Sequence, residues 1–290
     1  MISTKSNSME VNIEVTKKSG KKDHFSIAKL KNSLVRSGAN EALVEKISNQ
    51  VRDELYQGIS TREIYNRAYA LLKTDTATFA SRYKLKKAIY ELGPTGFPFE
   101  KFIASLLSHK GYKVQTGKFY QGRCVRHEID VVALKNDQHI IGECKFHSEE
   151  GRNCDVKIPL YINSRYQDIL GFHEKFSDQP TQGWVVTNTR FTEDALTFGK
   201  CCGLYLLSWD YPIGNGLKDR IDSAGLYPIT VSTLLSAREK QFLLSRDVVL
   251  CKQLIDDSFY LDHLGISEKR KDRIIAEFKI LSKNSHHAEN

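Results

Sequence analysis

Between residues 112 and 209, five runs rich in β-branched and aromatic residues alternate with helical patterns. The runs are YKVQTG (112–117), CVRHEIDVVAL (124–134), HIIGECKF (139–146), GWVVTNT (183–189) and LYLLSW (204–209); the helical patterns fall at about 159–175 and 192–202. Few folds tolerate that order. Strands interleaved with helices predict an α/β domain built on a central mixed sheet. A helix is predicted ahead of the strands, because Phe99, Phe102, Ile103, Leu106 and Leu107 recur at helical spacing until Gly111 stops them.

The flanks read differently. VNIEVTKK, a Ser19-Gly20 turn and KKDHF predict a hairpin. One helical stripe follows at Ile27, Leu30 and Leu34, and another at Leu43, Val44, Ile47, Val51 and Leu55. Ser60-x-x-Glu63 is a capping box opening a third helix, and a fourth runs from about Thr76 to Leu92, closed by Gly93-Pro94. The C-terminal segments SAREKQFLLS, VVLCKQLIDD and LDHLGISEKRKDRIIAEFKIL are helical and short. The expected division is therefore a helical domain with a hairpin lid (11–93), an α/β domain (96–228), a helical module (229–282) and a disordered tail (283–290).

Composition narrows the function classes. No apolar stretch approaches a membrane span, and the N-terminal residues lack the apolar core of a signal peptide. The six cysteines are scattered without a CxxC, which disfavours a stapled secreted domain and a zinc ribbon. A cytoplasmic chain with reduced thiols is expected. The net charge is +8, and +7 of it lies in residues 1–95, whereas residues 96–228 balance. That asymmetry points to a polyanionic ligand in the first third. No GxxxxGK[ST] occurs, so an ATP-driven motor is disfavoured.

The segments VTKKSGKKDHFSIAKLKNSLVRSGA, GISTREIYNRAYALL and FASRYKLKKAI together resemble the ATP-cone, the nucleotide-sensing module at the N-terminus of ribonucleotide reductases and their repressor. The resemblance implies that ATP or dATP binds as a regulatory ligand. It implies a triphosphate held at Val15, Lys17 and Lys18, with Lys29 also reaching phosphate and Thr61 and Tyr65 on the base and sugar side. Several lysines around a helix start suit a triphosphate. The common KRDG turn reads KKSG here, so an acidic turn residue and an arginine are replaced.

The α/β segment carries its own chemistry in Asp130 and Glu143-Cys144-Lys145. Side chains alternate along a strand, so Glu143 and Lys145 share a face while Cys144 joins Gly142 and Phe146 on the other. The short connection between the two runs suits a hairpin that sets Asp130 beside Glu143. Two carboxylates can hold a hard divalent cation, Mg²⁺ or Mn²⁺, and Lys145 can orient water or stabilise developing charge. The competing reading is a structural salt bridge at a sheet edge.

That placement, with FPFEKFIASLLSHKGYKV before it and WVVTNTRFTEDALTFGKCCGLYLLSWD after it, resembles the Mrr-like restriction endonucleases of the PD-(D/E)xK superfamily. The resemblance implies catalysis by Asp130, Glu143 and Lys145, metal ligation by Asp130 and Glu143, and a completing role for Glu100 on the first helix. It also implies that the helix after the catalytic strand follows nucleic acid, with Lys157, Arg165 and Gln167 as phosphate contacts, while a plain solvated helix face stands beside that reading. His127, His139 and His147 lack the spacing of a zinc motif and read as surface or hydrogen-bonded residues. Leu264-Gly265-Ile266 with the basic helix behind it resembles a helix-hairpin-helix element, while a plain packing or dimerisation role stands beside it. The expectation is a nucleotide-regulated, Mg²⁺-dependent endonuclease acting on DNA as a homo-oligomer without a membrane partner, in restriction or defence against foreign DNA. Its rivals are a non-catalytic nucleotide-sensing DNA-binding regulator and an RNA-cleaving nuclease.

Overall fold

The computed structural model describes residues 13–173 and 180–283. The start of the expected hairpin and all of the expected tail except Lys283 lie outside the described residues. The chain divides into two compact units, Met1–Tyr83 and Lys84–Asn290.

The first unit is the hairpin of β1 (Glu14–Thr16) and β2 (Lys22–His24) with helices α1 (Ile27–Arg36), α2 (Glu41–Asp53), α3 (Thr61–Asp75) and α4 (Ala77–Tyr83). Local chemistry starts three of these helices: the side chains of Ser26, Asn40 and Ser60 each accept the N–H three residues on, at Lys29, Leu43 and Glu63. Each such cap is worth about 1 kcal/mol. The apolar stripes then close over one another, burying Leu34, Ile47, Val51, Ile59, Ala68 and Leu72. The hairpin is tied down along β1. Thr16 N–H donates to Ile59 O at 3.0 Å, and Gly58 N–H donates to Glu14 O at 2.9 Å.

The second unit opens with α5 (Leu85–Tyr90) and α6 (Phe97–His109), then β3 (Lys113–Gln121), β4 (Arg126–Lys135), β5 (Gln138–Lys145) and β6 (Asn153–Cys154). Helix α7 (Lys157–His173), β7 (Gln182–Thr187), β8 (Arg190–Phe191), α8 (Glu193–Cys201) and β9 (Tyr205–Leu207) follow. The chain ends with α9 (Leu217–Ala224), α10 (Ala237–Leu244), α11 (Cys251–Asp256), α12 (Phe259–His263) and α13 (Glu268–Ser282). Five strands form a mixed sheet in the order β3-β4-β5-β7-β9. The first three are antiparallel neighbours, and the β5–β7 and β7–β9 pairs are parallel. Both faces are covered. On one, Phe99, Phe102 and Ile103 of α6 meet Val131, Ala133, Ile140 and Val186; on the other, Ile162 and Ile169 of α7 meet Ile129, Val132, Ile141 and Val185. Cover on both sides explains the nearly unbroken apolar runs VVAL and WVV.

Two expectations change. The single helix expected over 76–92 is interrupted at Lys84, giving α4 and α5. Its residues serve two different cores: Ala80 is buried in the first, while Leu85, Ala88 and Ile89 are buried in the second. Packing therefore divides the chain between Tyr83 and Lys84, inside the expected first domain. The C-terminal helices also fail to separate as a module. Leu243, Leu254, Leu261, Ile274, Phe278 and Leu281 share one continuous core with α5 and α6. Polar groups reinforce this junction: Lys84 donates to Glu91 at 2.8 Å and to Thr230 O at 3.0 Å, and Thr230 Oγ1 donates to Ala88 O at 2.7 Å.

Candidate functional site

Asp130 stands where the sheet loses its regularity. The β4–β5 ladder runs from Lys135↔Gln138 to Val131↔Gly142 and stops, one step short of setting Asp130 against Glu143. The Asp130 carboxylate takes over: its Oδ2 accepts the Cys144 N–H at 2.7 Å. On the other flank the β3–β4 ladder skips the position where Gly117 would face Asp130. Gly117 has φ +63°, a backbone state that a side chain disfavours. Both strands change faces here. Val131 and Ala133 point to the α6 core and Ile129 to the α7 core; on β3, Val114 packs on the former and Tyr120 on the latter. A glycine at such a twist is a common device for re-aiming a side chain at a functional site.

The carboxylates around this break crowd one another. Burial, with the charges of Asp130 and Glu128 behind it, pushes Glu100 up to about 7. Burial, then Asp130, pushes Glu143 up to about 8, against the opposing pull of Arg165. Asp130 is also raised by burial, despite its bond from the Cys144 N–H. Glu100 sits in the first turn of α6. A Cβ at Gly96 would come within 3.3 Å of Glu100 Oε1, so the bare glycine leaves this carboxylate room. Lys145 lies two residues beyond Glu143, exposed, and its charge lowers the cost of ionising Asp130. Its backbone is fixed from the neighbouring strand, where Thr187 Oγ1 donates to Lys145 O at 2.8 Å. Asn188 continues the clamp, accepting His147 N–H and donating to His147 O, both at 2.9 Å.

Glu143 is divided between two environments. Oε2 takes the Arg165 guanidinium at 2.7 Å, whereas Oε1 is buried with no hydrogen-bond partner. A buried, unpartnered carboxylate oxygen is costly unless something cationic meets it. Among the described residues no group of three or more His, Cys, Asp and Glu converges as a metal shell. The donor set of Asp130 and Glu143 still fits Mg²⁺ or Mn²⁺, since such ions commonly take one or two carboxylates and keep several waters.

The other expected residues are placed as follows. Arg165 does not stand free for a phosphate: it bridges Glu143 and the Glu128 carbonyl, and lies 5.5 Å over the Tyr161 ring. Lys157 and Gln167 are exposed on α7. His127 pairs with Asp168 at 2.8 Å, His139 with the Tyr120 hydroxyl at 2.8 Å, and Cys144 packs against the α6 core. Gly265 makes the turn between α12 and α13 with φ +68°, and Ile274 and Phe278 of α13 are buried.

In the first unit, Val15 is buried in β1, so only its backbone can meet a ligand. Lys17 pairs with Asp23 at 2.5 Å, and that bond, with weaker help from Lys29, holds the Asp23 carboxyl down to about 2. Lys17 and Lys29 thus act on one spot, while Lys18 is exposed on the turn beside them. Thr61 begins α3 directly after Ser60, which bridges to Thr16. Tyr65 is the middle ring of a stack, 6.1 Å from Tyr69 and 5.1 Å from Tyr83 with near-parallel planes. This stack, Asp168 and the Thr187–Asn188 clamp were not legible beforehand. The first had a signal in the i, i+4 spacing of Tyr65 and Tyr69; the others depend on long-range contacts.

Comparison with known proteins finds two families. Residues 13–90 match the family described as the ATP cone domain, and residues 227–282 match the family described as AF1548-like, C-terminal. An uncharacterized protein of Archaeoglobus fulgidus is 34% identical over 178 residues, covering 61% of this chain and 98% of the relative. A crystal structure described as that of a protein of unknown function, AF1548, is 31% identical with a TM-score of 0.53, covering 64% of this chain and 98% of that one. No helix among the described residues is long and apolar enough to cross a membrane.

Proposed function

The chain belongs to the AF1548-like family of that Archaeoglobus protein and carries an ATP-cone domain in front, and from this premise we propose that it is a nucleotide-regulated, metal-dependent nuclease. One observation carries the reading: burial raises the pKa of three carboxylates, Glu100, Asp130 and Glu143, at a twist in the sheet, and the charge of Asp130 raises the other two further, beside a lysine and with one buried oxygen unpartnered. Such crowding destabilises the protein on its own and has an obvious use only if a cation joins it. A divalent ion held by Asp130 and Glu143 would supply charge neutralisation at a phosphate and a more acidic bound water.

The chain's own residues do the rest. Cys144 N–H fixes the Asp130 carboxylate, and Arg165 fixes Glu143. Lys145 presents an ammonium on the Glu143 face, where it hydrogen-bonds an attacking water or the phosphate oxygens. Glu100, poised near neutrality, can take a proton from water or give one back. The substrate is nucleic acid, most simply DNA, and the setting is restriction or defence. The cone supplies the control. ATP or dATP binding at Lys17, Lys18 and Lys29 shifts the assembly between arrangements of unequal nucleotide affinity, and a tenfold preference supplies about 1.4 kcal/mol.

The test is cleavage of plasmid, linear DNA and RNA with Mg²⁺ or Mn²⁺, with no nucleotide, with ATP and with dATP, alongside mass by light scattering. Cleavage by wild type and none by Asp130→Ala is expected. Undiminished cleavage by purified Asp130→Ala moves the site elsewhere. Identical rate and mass in all three nucleotide conditions removes the regulatory half. A non-catalytic nucleotide sensor is the second reading, favoured by Arg165 already holding one oxygen of Glu143.

A further inference from the structure

A groove of about 890 Å³ runs between the β3–β4 turn and α7. Arg123, His127, Tyr161, Arg165 and Gln167 line it, and Arg165 connects it to the carboxylate site, because the same guanidinium touches Glu143. Its walls are rigid for a definite reason. Asp168 on α7 accepts Cys124 N–H at 2.8 Å, Val125 N–H at 3.3 Å and the His127 ring at 2.8 Å, while Arg123 N–H donates to the Asp168 carbonyl at 2.9 Å. These bonds hold the Asp168 carboxyl far below the usual carboxylate range. A Cβ at Gly122 would fall 2.0 Å from Asp168 Oδ2, so only glycine admits this closure. A whole carboxylate is spent on shaping a turn that has no part in either core.

The lining has a definite chemistry. Asp168 is the only acidic residue lining it among the described residues, and its charge is consumed. Tyr161 presents its ring at 62% exposure, and Val125 beside it is 57% exposed. Among the described residues no carboxylate pairs with Arg123, and Gln167 is exposed. Exposed aromatic rings with guanidinium groups along a groove are the means by which proteins take single-stranded nucleic acid, bases stacking on the ring and phosphates on the cations. A space of this size admits a few nucleotides of one strand, whereas a duplex offers its bases only through its own grooves.

We propose that this groove seats an unpaired strand and feeds it past Arg165 to the carboxylates, so that the substrate is nucleic acid with a single-stranded portion, such as a fork or flap. The route to cleavage rests on the nuclease reading; the binding itself does not. The experiment therefore measures binding in full-length Asp130→Ala protein without divalent metal, by fluorescence anisotropy with a labelled single strand, a forked duplex and a blunt duplex. Adding Arg123→Ala with Tyr161→Ala should weaken single-strand and fork binding by about 5- to 150-fold, the worth of one stacked base. Blunt-duplex binding should be unchanged, and Tyr161→Phe should bind as its parent does. Unchanged strand binding by the double variant overturns the proposal, as does an equal loss on all three ligands. If Tyr161→Phe is as weak as Tyr161→Ala, stacking is not the cause and the proposal also falls. Strand binding by a wild-type protein that cuts nothing with Mg²⁺ or Mn²⁺ sinks the nuclease reading and leaves the groove standing.

Discussion

The two units carry ionic sites of opposite design. In the first, Lys17, Lys18 and Lys29 are exposed on a hairpin and a helix start, with one carboxylate, Asp23, among them. In the second, three carboxylates are half-buried on a strand pair and a helix, with Lys145 outside and one arginine drawn in. The exposed site is cheap to hold empty, since water screens its repulsions. The half-buried one is not, because burial raises every carboxylate it contains. A site that must respond to a passing metabolite can be soft. A site that must act on a bond benefits from being strained before its cation arrives.

The largest effect expected is at the strained site. Asp130→Ala or Glu143→Ala should abolish divalent-metal binding by calorimetry and nearly all cleavage, with circular dichroism unchanged. Lys145→Ala should keep the metal and lose about 10²–10³ in single-turnover rate. If Lys145→Ala loses metal as well, the lysine shapes the carboxylate pair and the division of roles drawn above breaks down.

Next comes the soft site. Lys17→Ala with Lys18→Ala should lose ATP and dATP binding, and the nucleotide effect with it, while unregulated cleavage persists. Retained binding would shift the phosphate contacts to Lys29 and the α3 start.

A third test measures the strain. Glu100 and Glu143 have folded pKa values of about 7 and about 8, above the ordinary 4.5. The folded state thus binds more protons than the unfolded one across that window, and metal-free protein should lose stability as pH rises from about 4.5 to about 8. Glu143→Gln should flatten that fall in a series of thermal melts, and Mg²⁺ should reverse it in wild type. A flat wild-type profile means that water already relieves the crowding.

The smallest effect belongs to Asp23. Its pKa is depressed to about 2, so whatever its pair with Lys17 contributes is present above the ordinary 3.8 and lost as pH falls toward 2. Screening by the water around this surface pair predicts a slight change at most, and Asp23→Asn should barely alter melting at neutral pH.

Much of this was legible in the residues. Periodicity located all five sheet strands within a few positions, and D-x₁₂-E-x-K with a short connection anticipated Asp130 beside Glu143. What escaped depends on contacts between distant segments. Arg165 was expected on a phosphate because the resemblance runs its helix along nucleic acid, yet its partner is Glu143 of β5. The face switch at Gly117 and Asp130 leaves no trace in an alternation pattern already blurred by burial on both sides. A repeat of apolar residues likewise shows that Leu85, Ala88 and Ile89 form a stripe, but not which core receives it.

That last ambiguity has a genealogical consequence. Helix α5 lies within the stretch that matches the cone family, yet its apolar side chains are bricks of the neighbouring unit. A seam of heredity and a seam of packing therefore fall at different places in this chain. Recombination that swaps cones at the first seam must also inherit a helix fitting a foreign core, and Ile89→Ala at that point should cost the second unit about 2–5 kcal/mol. Lineages should accordingly exchange such cones seldom, and those that do should cut near Lys84.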